Sequence, residues 1–182
     1  MVRSCFLWRV NGSKYHFNAI ERLCFLIMLK VNIVAVGKVK EKYFSDGIAE
    51  YQKRLSRFCD FKIIEVAEEN YSKLDEGLTE VVKKAEAERI LPHLKGKVFA
   101  MAIEGKQFSS EVFAKNLKSL SQNFSEVTFI IGGSYGLSQE IKSKAELFSF
   151  SQMTFPHTLF RLMLTEQIYR AFMINSGSAY HK

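Results

Sequence analysis

The chain has 182 residues, 47% of them hydrophobic and 25% charged, a balance that fits one globular domain with a core of its own and leaves little room for two. Its formal net charge is +7, and Arg3, Arg9, Lys14 and Arg22 against Glu21 place +3 of this in the first 27 residues, so the remainder is mildly basic, compatible with an RNA partner and no proof of one. Cys5, Cys24 and Cys59 form neither a disulfide framework nor a metal-ligand spacing, and no apolar run is long enough to cross a bilayer; a reduced, cytoplasmic setting without metal or membrane is expected.

Residues 1 to 27 show no sustained period and read as an amino-terminal extension, disordered or the product of a misassigned start, with Met28 opening a domain over 28 to 182. Val31 to Val36 reads as a buried strand ending at Gly37. Phe44, Ile48, Tyr51, Leu55 and Phe58 follow at steps of three and four, which predicts an amphipathic helix. A second strand is predicted over Phe61 to Val66. Ser72-Lys-Leu-Asp75 resembles a capping box before a helix through Val81, Val82, Ala85 and Ile90 that stops near Pro92.

Val98 to Ile103 gives a third strand, and Ser109 is placed to cap a helix carrying Val112, Phe113, Leu117 and Leu120. Val127 to Ile131 is a fourth strand, Ser138 begins a short helix, and Leu147 to Ser151 is a fifth strand. After Pro156 a helix runs from His157 to about Asn175, closed by Gly177. Apolar strands alternating with helices predict an α/β fold: a mostly parallel sheet covered by helices on both faces.

The last helix is apolar on nearly every side, so burial all round is expected. Arg161 shares a stripe with Leu164, Ile168 and Phe172, and a charge there requires a partner. Ligands of open α/β sheets bind at the carboxyl ends of strands, so Glu104-Gly105-Lys106, Gly132-Gly133-Ser134-Tyr135-Gly136 and Ser151 to Phe155 are candidate loops that converge. The glycine spacing is neither a dinucleotide fingerprint nor a phosphate loop; a tight turn needing positive φ is the simpler account. Glu166 and Arg170 read as an ordinary ion pair on one helix face. His157 is as readily a helix-start residue as a functional one, and His93 is expected at the surface. Tyr180-His181-Lys182 is either a frayed tail or a group able to stack on a base and contact phosphate.

Val-Ala-Val-Gly after Met28, Ile-Ile-Gly-Gly-Ser-Tyr-Gly-Leu-Ser at 130 to 138, Phe-Ser-Gln-Met-Thr-Phe-Pro-His at 150 to 157, Glu-Gln-Ile-Tyr-Arg-Ala at 166 to 171 and the ending Ala-Tyr-His-Lys together resemble the ribosomal RNA large subunit pseudouridine N3-methyltransferase family of the SPOUT superfamily. The resemblance implies a carboxyl-terminal trefoil knot and a homodimer. It also implies methylation of N3 of a pseudouridine in 23S ribosomal RNA, with S-adenosylmethionine as cofactor and the large subunit or 70S ribosome as partner. Carried over by position, the cofactor pocket falls on Met101, Gly132 and Phe150, Ser151, Gln152, Met153, Thr154 and Phe155. Gln152 and Tyr135 stand where the family varies and receive no side-chain role. Arg161, Tyr180 and His181, from either subunit, are expected to position and polarise the target base. Alternatives are methylation at another RNA position or at a ribose oxygen, and a catalytically idle ribosome-binding α/β module.

Overall fold

A computed structural model describes residues 8–10, 13–15, 28–69 and 76–181. Strands β1 (Trp8–Val10) and β2 (Ser13–Tyr15) pair antiparallel, apart from the main sheet. The rest of the first 27 residues, with Cys5, His16 and Cys24, lies outside the described residues, as does the capping box expected at Ser72.

The main sheet comprises β3 (Lys30–Val36), β4 (Asp60–Val66), β5 (Lys97–Gln107), β6 (Glu126–Ile131) and β7 (Glu146–Ser149), in the order β4-β3-β6-β5-β7. Every neighbouring pair is parallel. The helices are α1 (Lys42–Leu55), α2 (Glu76–Ile90), α3 (Ser110–Asn123), α4 (Gln139–Ser143) and α5 (His157–Asn175). A short 3-10 turn at Leu91–His93 carries Pro92 and ends α2, and His93 there is half-buried.

Alternation along the strands divides the core in two. Val31, Ile33 and Ala35 of β3 and Val127, Phe129 and Ile131 of β6 face Leu55 of α1, Phe113 and Leu117 of α3, and Leu164 and Ile168 of α5. Val34, Val36, Ala100 and Ile130 face Ala87 and Ile90 of α2 and Ile141 of α4. Both faces of the sheet are therefore covered, which is why its central strands are almost entirely apolar; their buried polar residues, Asn32 and Thr128, donate to Glu126 Oε1 at 2.7 Å and to the Lys95 carbonyl at 2.8 Å. Each buried valine, leucine or isoleucine contributes roughly 1.5–3 kcal/mol of transfer free energy. Ser109 and Ser138 cap α3 and α4, accepting from the Val112 and Ile141 amides at 3.3 Å.

Three details differ from the expectations. First, β5 runs on to Gln107, so Glu104-Gly105-Lys106 is strand and not a loop. The ladder with β7 pairs Met101 with Phe148 and then, after an irregularity, Lys106 with the same Phe148. Gly105 permits this, because a Cβ there would lie 2.5 Å from the Phe148 amide nitrogen. Second, β7 ends at Ser149, which frees Phe150 and Ser151 to turn away from the sheet. Third, α5 is buried at Arg161, Leu164, Thr165, Ile168 and Tyr169 but only half-buried at Leu159, Leu162 and Met163. Within one chain its burial is one-sided.

Candidate functional site

The carboxyl ends of β5, β6 and β7 open onto a cleft of about 660 Å³. Its walls are Met101 to Ile103 from β5, the glycine loop Gly132 to Gly136 after β6, and the segment from Phe148 to His157 that joins β7 to α5, with Phe160 behind. Among the candidate residues, Met101, Gly132, Phe150, Ser151, Met153, Thr154 and Phe155 line it. Gln152 is exposed and does not. His157 lines it too, although the sequence offered no reason to prefer that over a plain helix start.

Local chemistry holds both loops. The Gly136 amide donates to the Gly133 carbonyl at 3.0 Å with φ of +76° at Gly136, the tight turn that the glycine spacing suggested. Ser149 Oγ donates to the Ser151 carbonyl at 2.8 Å, and the Met153 amide donates to Ser151 Oγ at 3.0 Å. Ser151 is thus tied into its own turn on both sides. Among the described residues, no Asp, Glu, Lys or Arg lines the cleft. It is a chamber of main chain, small hydroxyls, aromatic rings and the apolar side chains of Met101, Ile103, Ile131 and Met153, with the His157 imidazole among them.

Behind the glycine loop stands Glu86 of α2, only 2% exposed. A Cβ on Gly133 would come within 2.9 Å of its Oε1 and 3.0 Å of Val36 Cγ1, so the loop lies directly against the carboxyl. Glu86 Oε1 accepts a 3.4 Å bond from the Glu69 amide, while Oε2 is buried without a partner. Burial raises the Glu86 pKa, and the acidic Glu68 and Glu69 add to this while the Glu69 amide and Arg89 oppose it. The neighbouring segment is pinned by Arg89, which bonds the Ala67 carbonyl at 2.9 Å and pairs with Glu69, and by Ser134 Oγ, which donates to Glu68 Oε1 at 3.0 Å. Glu86 was missed in the sequence, yet a signal existed. It stands four residues from both Val82 and Ile90, which are 0% and 1% exposed, and so lies on their apolar stripe.

Arg161 is 1% exposed and does not line the cleft. Its guanidinium bonds Glu65 Oε1 at 2.6 Å, the Gly37 carbonyl at 3.0 Å and the Val36 carbonyl at 3.3 Å. The partner demanded by its burial is found within the same chain. Desolvation lowers the Arg161 pKa and Glu65 works against that shift, yet a guanidinium stays charged in any case. The residue joins the ends of β3 and β4 to α5.

Tyr180 and His181 are packed back onto α3 and α5 and are not frayed. The Tyr180 hydroxyl donates to Glu166 Oε1 at 3.1 Å, and its ring meets Tyr169 edge-on. Arg170 pairs with Glu166 at 2.7 Å, lies 4.9 Å over the Tyr180 ring and contacts His181 Nδ1 at 3.3 Å. Arginine only donates, so Nδ1 accepts, and Nε2 carries the proton donated to Glu111 Oε1 at 2.7 Å. The Ser109 hydroxyl, then His181, holds the Glu111 carboxyl down to about 2. Burial, then the Tyr51 and Glu166 contacts, raises the Tyr180 phenol, which remains a donor at neutral pH. The expected Glu166–Arg170 ion pair is present, as part of a larger group.

That group borders a second cavity of about 460 Å³, lined by Tyr51, Ser109, Ser110, Glu166 and Gln167. Phe148, Phe150 and Phe155 line both cavities, so one aromatic wall separates them. Cys59, the free cysteine among the described residues, is buried with its thiol pushed up to about 12 by desolvation, which makes it inert. No group of three metal-ligating side chains and no helix able to cross a membrane occurs among the described residues.

A family model described as Predicted SPOUT methyltransferase matches residues 29–181. A protein of Streptococcus uberis named ribosomal RNA large subunit methyltransferase H is 55% identical over 159 residues, covering 85% of this chain and 100% of that relative. Proteins of the same name from Lactobacillus delbrueckii subsp. bulgaricus and Levilactobacillus brevis are 55% and 52% identical over 159 residues, each with the same coverage. The parallel sheet, the cleft at its carboxyl edge and these matches lead to one conclusion: the chain belongs to the SPOUT methyltransferase family.

Proposed function

We propose that this methyltransferase uses S-adenosylmethionine to methylate N3 of a pseudouridine in 23S ribosomal RNA, on the large subunit or the assembled 70S ribosome, as a cytoplasmic homodimer with a knotted carboxyl-terminal part. The observation that carries the reading is the character of the cleft. An adenosine without phosphate calls for backbone hydrogen bonds and apolar walls in place of a basic cradle, and the cleft supplies the glycine-loop main chain, Met101 and the Phe150 to Phe155 segment with no charged side chain. The names of the relatives favour ribosomal RNA as substrate.

When bound, the cofactor supplies an electrophilic methyl group on a sulfonium, and the transfer is an in-line displacement by the base nitrogen. The protein must then hold the nucleophile close and aligned and exclude water. The target base must lose its N3 proton, and a nearby cation favours the resulting anion. Tyr180 and His181 hold a hydroxyl and an imidazole beside the Arg170 guanidinium, across the aromatic wall from the cleft of their own chain, so we assign base positioning to this tail group at the cleft of the partner protomer. Arg161 was expected to take part in that step; its enclosure favours a supporting role at the end of β3. The half-buried Leu159, Leu162 and Met163 of α5 suit the dimer contact.

Calorimetry with S-adenosylmethionine tests the cofactor assignment, and absence of binding would defeat it. Mapping methylated nucleotides in ribosomal RNA from a strain lacking the gene, with and without added enzyme, tests the substrate. An unchanged pseudouridine signal there would redirect the reading to another position. Deleting Tyr180 to Lys182 without loss of methylation would remove the tail from the mechanism.

A further inference from the structure

We propose that the segment Lys38 to Tyr43, between β3 and α1, is a docking site for the ribose–phosphate backbone of the RNA substrate. This rests on the methyltransferase reading above and adds a contact surface to it. The segment reads Lys38-Val-Lys-Glu-Lys-Tyr43. Lys38, Lys40, Lys42 and Tyr43 are exposed, Tyr43 at 68%. No ion pair is present at Lys38 or Lys40 among the described residues, whereas Lys42 pairs with Asp46 at 2.6 Å. Glu41, the acid within the run, is half-buried with its Oε2 shielded from water, and the exposed Lys38 and Lys40 outnumber it.

The segment is also held in place at the edge of the cleft. Gly37, just before it, donates its amide to the Val66 carbonyl at 2.9 Å, and its carbonyl accepts from the buried Arg161 at 3.0 Å. The Val39 amide donates to Glu65 Oε1 at 3.4 Å, the oxygen that Arg161 also bonds. A Cβ on Gly37 would lie 3.6 Å from Nε2 of His157, a residue that lines the cleft. Two unpaired lysines and an exposed ring on a fixed loop beside the reaction chamber match what a nucleic-acid strand requires: ammonium groups for phosphates and an aromatic face for a base. A Cβ on Gly37 would lie 3.3 Å from Glu68 Oε2, and Glu68 also accepts from Ser134 of the glycine loop, so a carboxylate between the two loops repels phosphate there and favours a path past Lys38 and Lys40.

The test compares two double variants with equal loss of charge. Lys38→Ala with Lys40→Ala removes the proposed contact. Lys30→Ala with Lys95→Ala removes two exposed lysines from the amino-terminal end of the sheet, at the start of β3 and just before β5. With 70S ribosomes from a strain lacking the gene as probe, the first variant is expected to raise the ribosome KM about tenfold at moderate salt. It should also make the dependence of log KM on log salt shallower by about 1–2 units, with affinity for S-adenosylmethionine unchanged. The second variant is expected to change neither, and Lys38→Arg with Lys40→Arg should restore the first. An unchanged KM and salt slope, an equal effect from the control pair, or loss of cofactor affinity in the first variant would each overturn the proposal. Failure of the unaltered protein to methylate the ribosomes would instead count against the function proposed above.

Discussion

Arg161 Nη1 and Glu65 Oε1 meet at 2.6 Å although the residues are 96 positions apart. The same guanidinium also bonds the carbonyls that end β3. Glu65 is 36% exposed while Arg161 is 1% exposed, so water compensates the carboxylate if the arginine is removed but reaches the carbonyls far less. Arg161→Met should therefore destabilise by about 2–3 kcal/mol through the unpaired carbonyls, with little added from Glu65. Urea denaturation measures this, and a loss below about 0.5 kcal/mol would show that the carbonyls find other partners.

Gly133→Ala should weaken S-adenosylmethionine binding about tenfold or more, because the new methyl meets the Glu86 carboxyl at 2.9 Å and Val36 Cγ1 at 3.0 Å and displaces the cleft wall. Combining it with Glu86→Ala should recover part of the affinity, since the carboxyl is one of the two obstructions. Calorimetry on the single and double variants reads the coupling; strictly additive losses would mean that Glu86 does not set the loop's position.

Glu86 also predicts a pH dependence. Its folded pKa is raised above the ordinary 4.5 by burial. As pH rises past that ordinary value, the unfolded chain releases a proton that the folded chain retains, so stability falls until the folded pKa is reached and is level beyond it. Glu86→Gln removes this term. Denaturant melts from acid to neutral pH should show the variant gaining stability relative to the parent as pH rises, and a relative loss would contradict the assignment.

Tyr180→Phe deletes the hydroxyl that donates to Glu166 at 3.1 Å but keeps the ring against Tyr169 and Arg170. If the tail positions the base, kcat should fall roughly tenfold with cofactor affinity unchanged. Steady-state kinetics on ribosomes with parallel calorimetry separates the two. An effect confined to cofactor affinity would move Tyr180 from the base to the cleft.

Phe150→Ala and Phe155→Ala each thin the wall shared by the two cavities. Each should reduce S-adenosylmethionine affinity by about tenfold, the scale of one buried aromatic contact. Unchanged affinity in both would place the cofactor elsewhere.

The sheet was legible because Val31 to Val36 and Val127 to Ile131 are apolar at every position but Asn32 and Thr128, a pattern set by burial on both faces. Ser109 and Ser138 were legible because capping is local chemistry. The extension of β5 was not: Glu104-Gly105-Lys106 reads as a loop, and only the close approach of the β7 backbone makes it strand. Arg161 announced that it needed a partner but not which, since Glu65 is brought to it by the parallel pairing of β4 with β3. The loop Ser151 to Phe155 was legible as the carboxyl end of a strand, and the resemblance added Phe150 to it; Phe150 and Ser151 belong to the turn because β7 ends two residues earlier than its alternation suggested.

The glycine loop presents main chain to the cleft, with the Ser134 hydroxyl directed at Glu68 and the Tyr135 ring 39% exposed. Main-chain amides and carbonyls are the same whatever side chain they carry. Substitutions at Ser134 and Tyr135 can therefore alter the rim of the chamber while the hydrogen-bonding surface inside it is preserved. Compounds that grip the amides of this loop will be hard to escape by mutation, whereas compounds that depend on the exposed rings of the rim will be easy to escape.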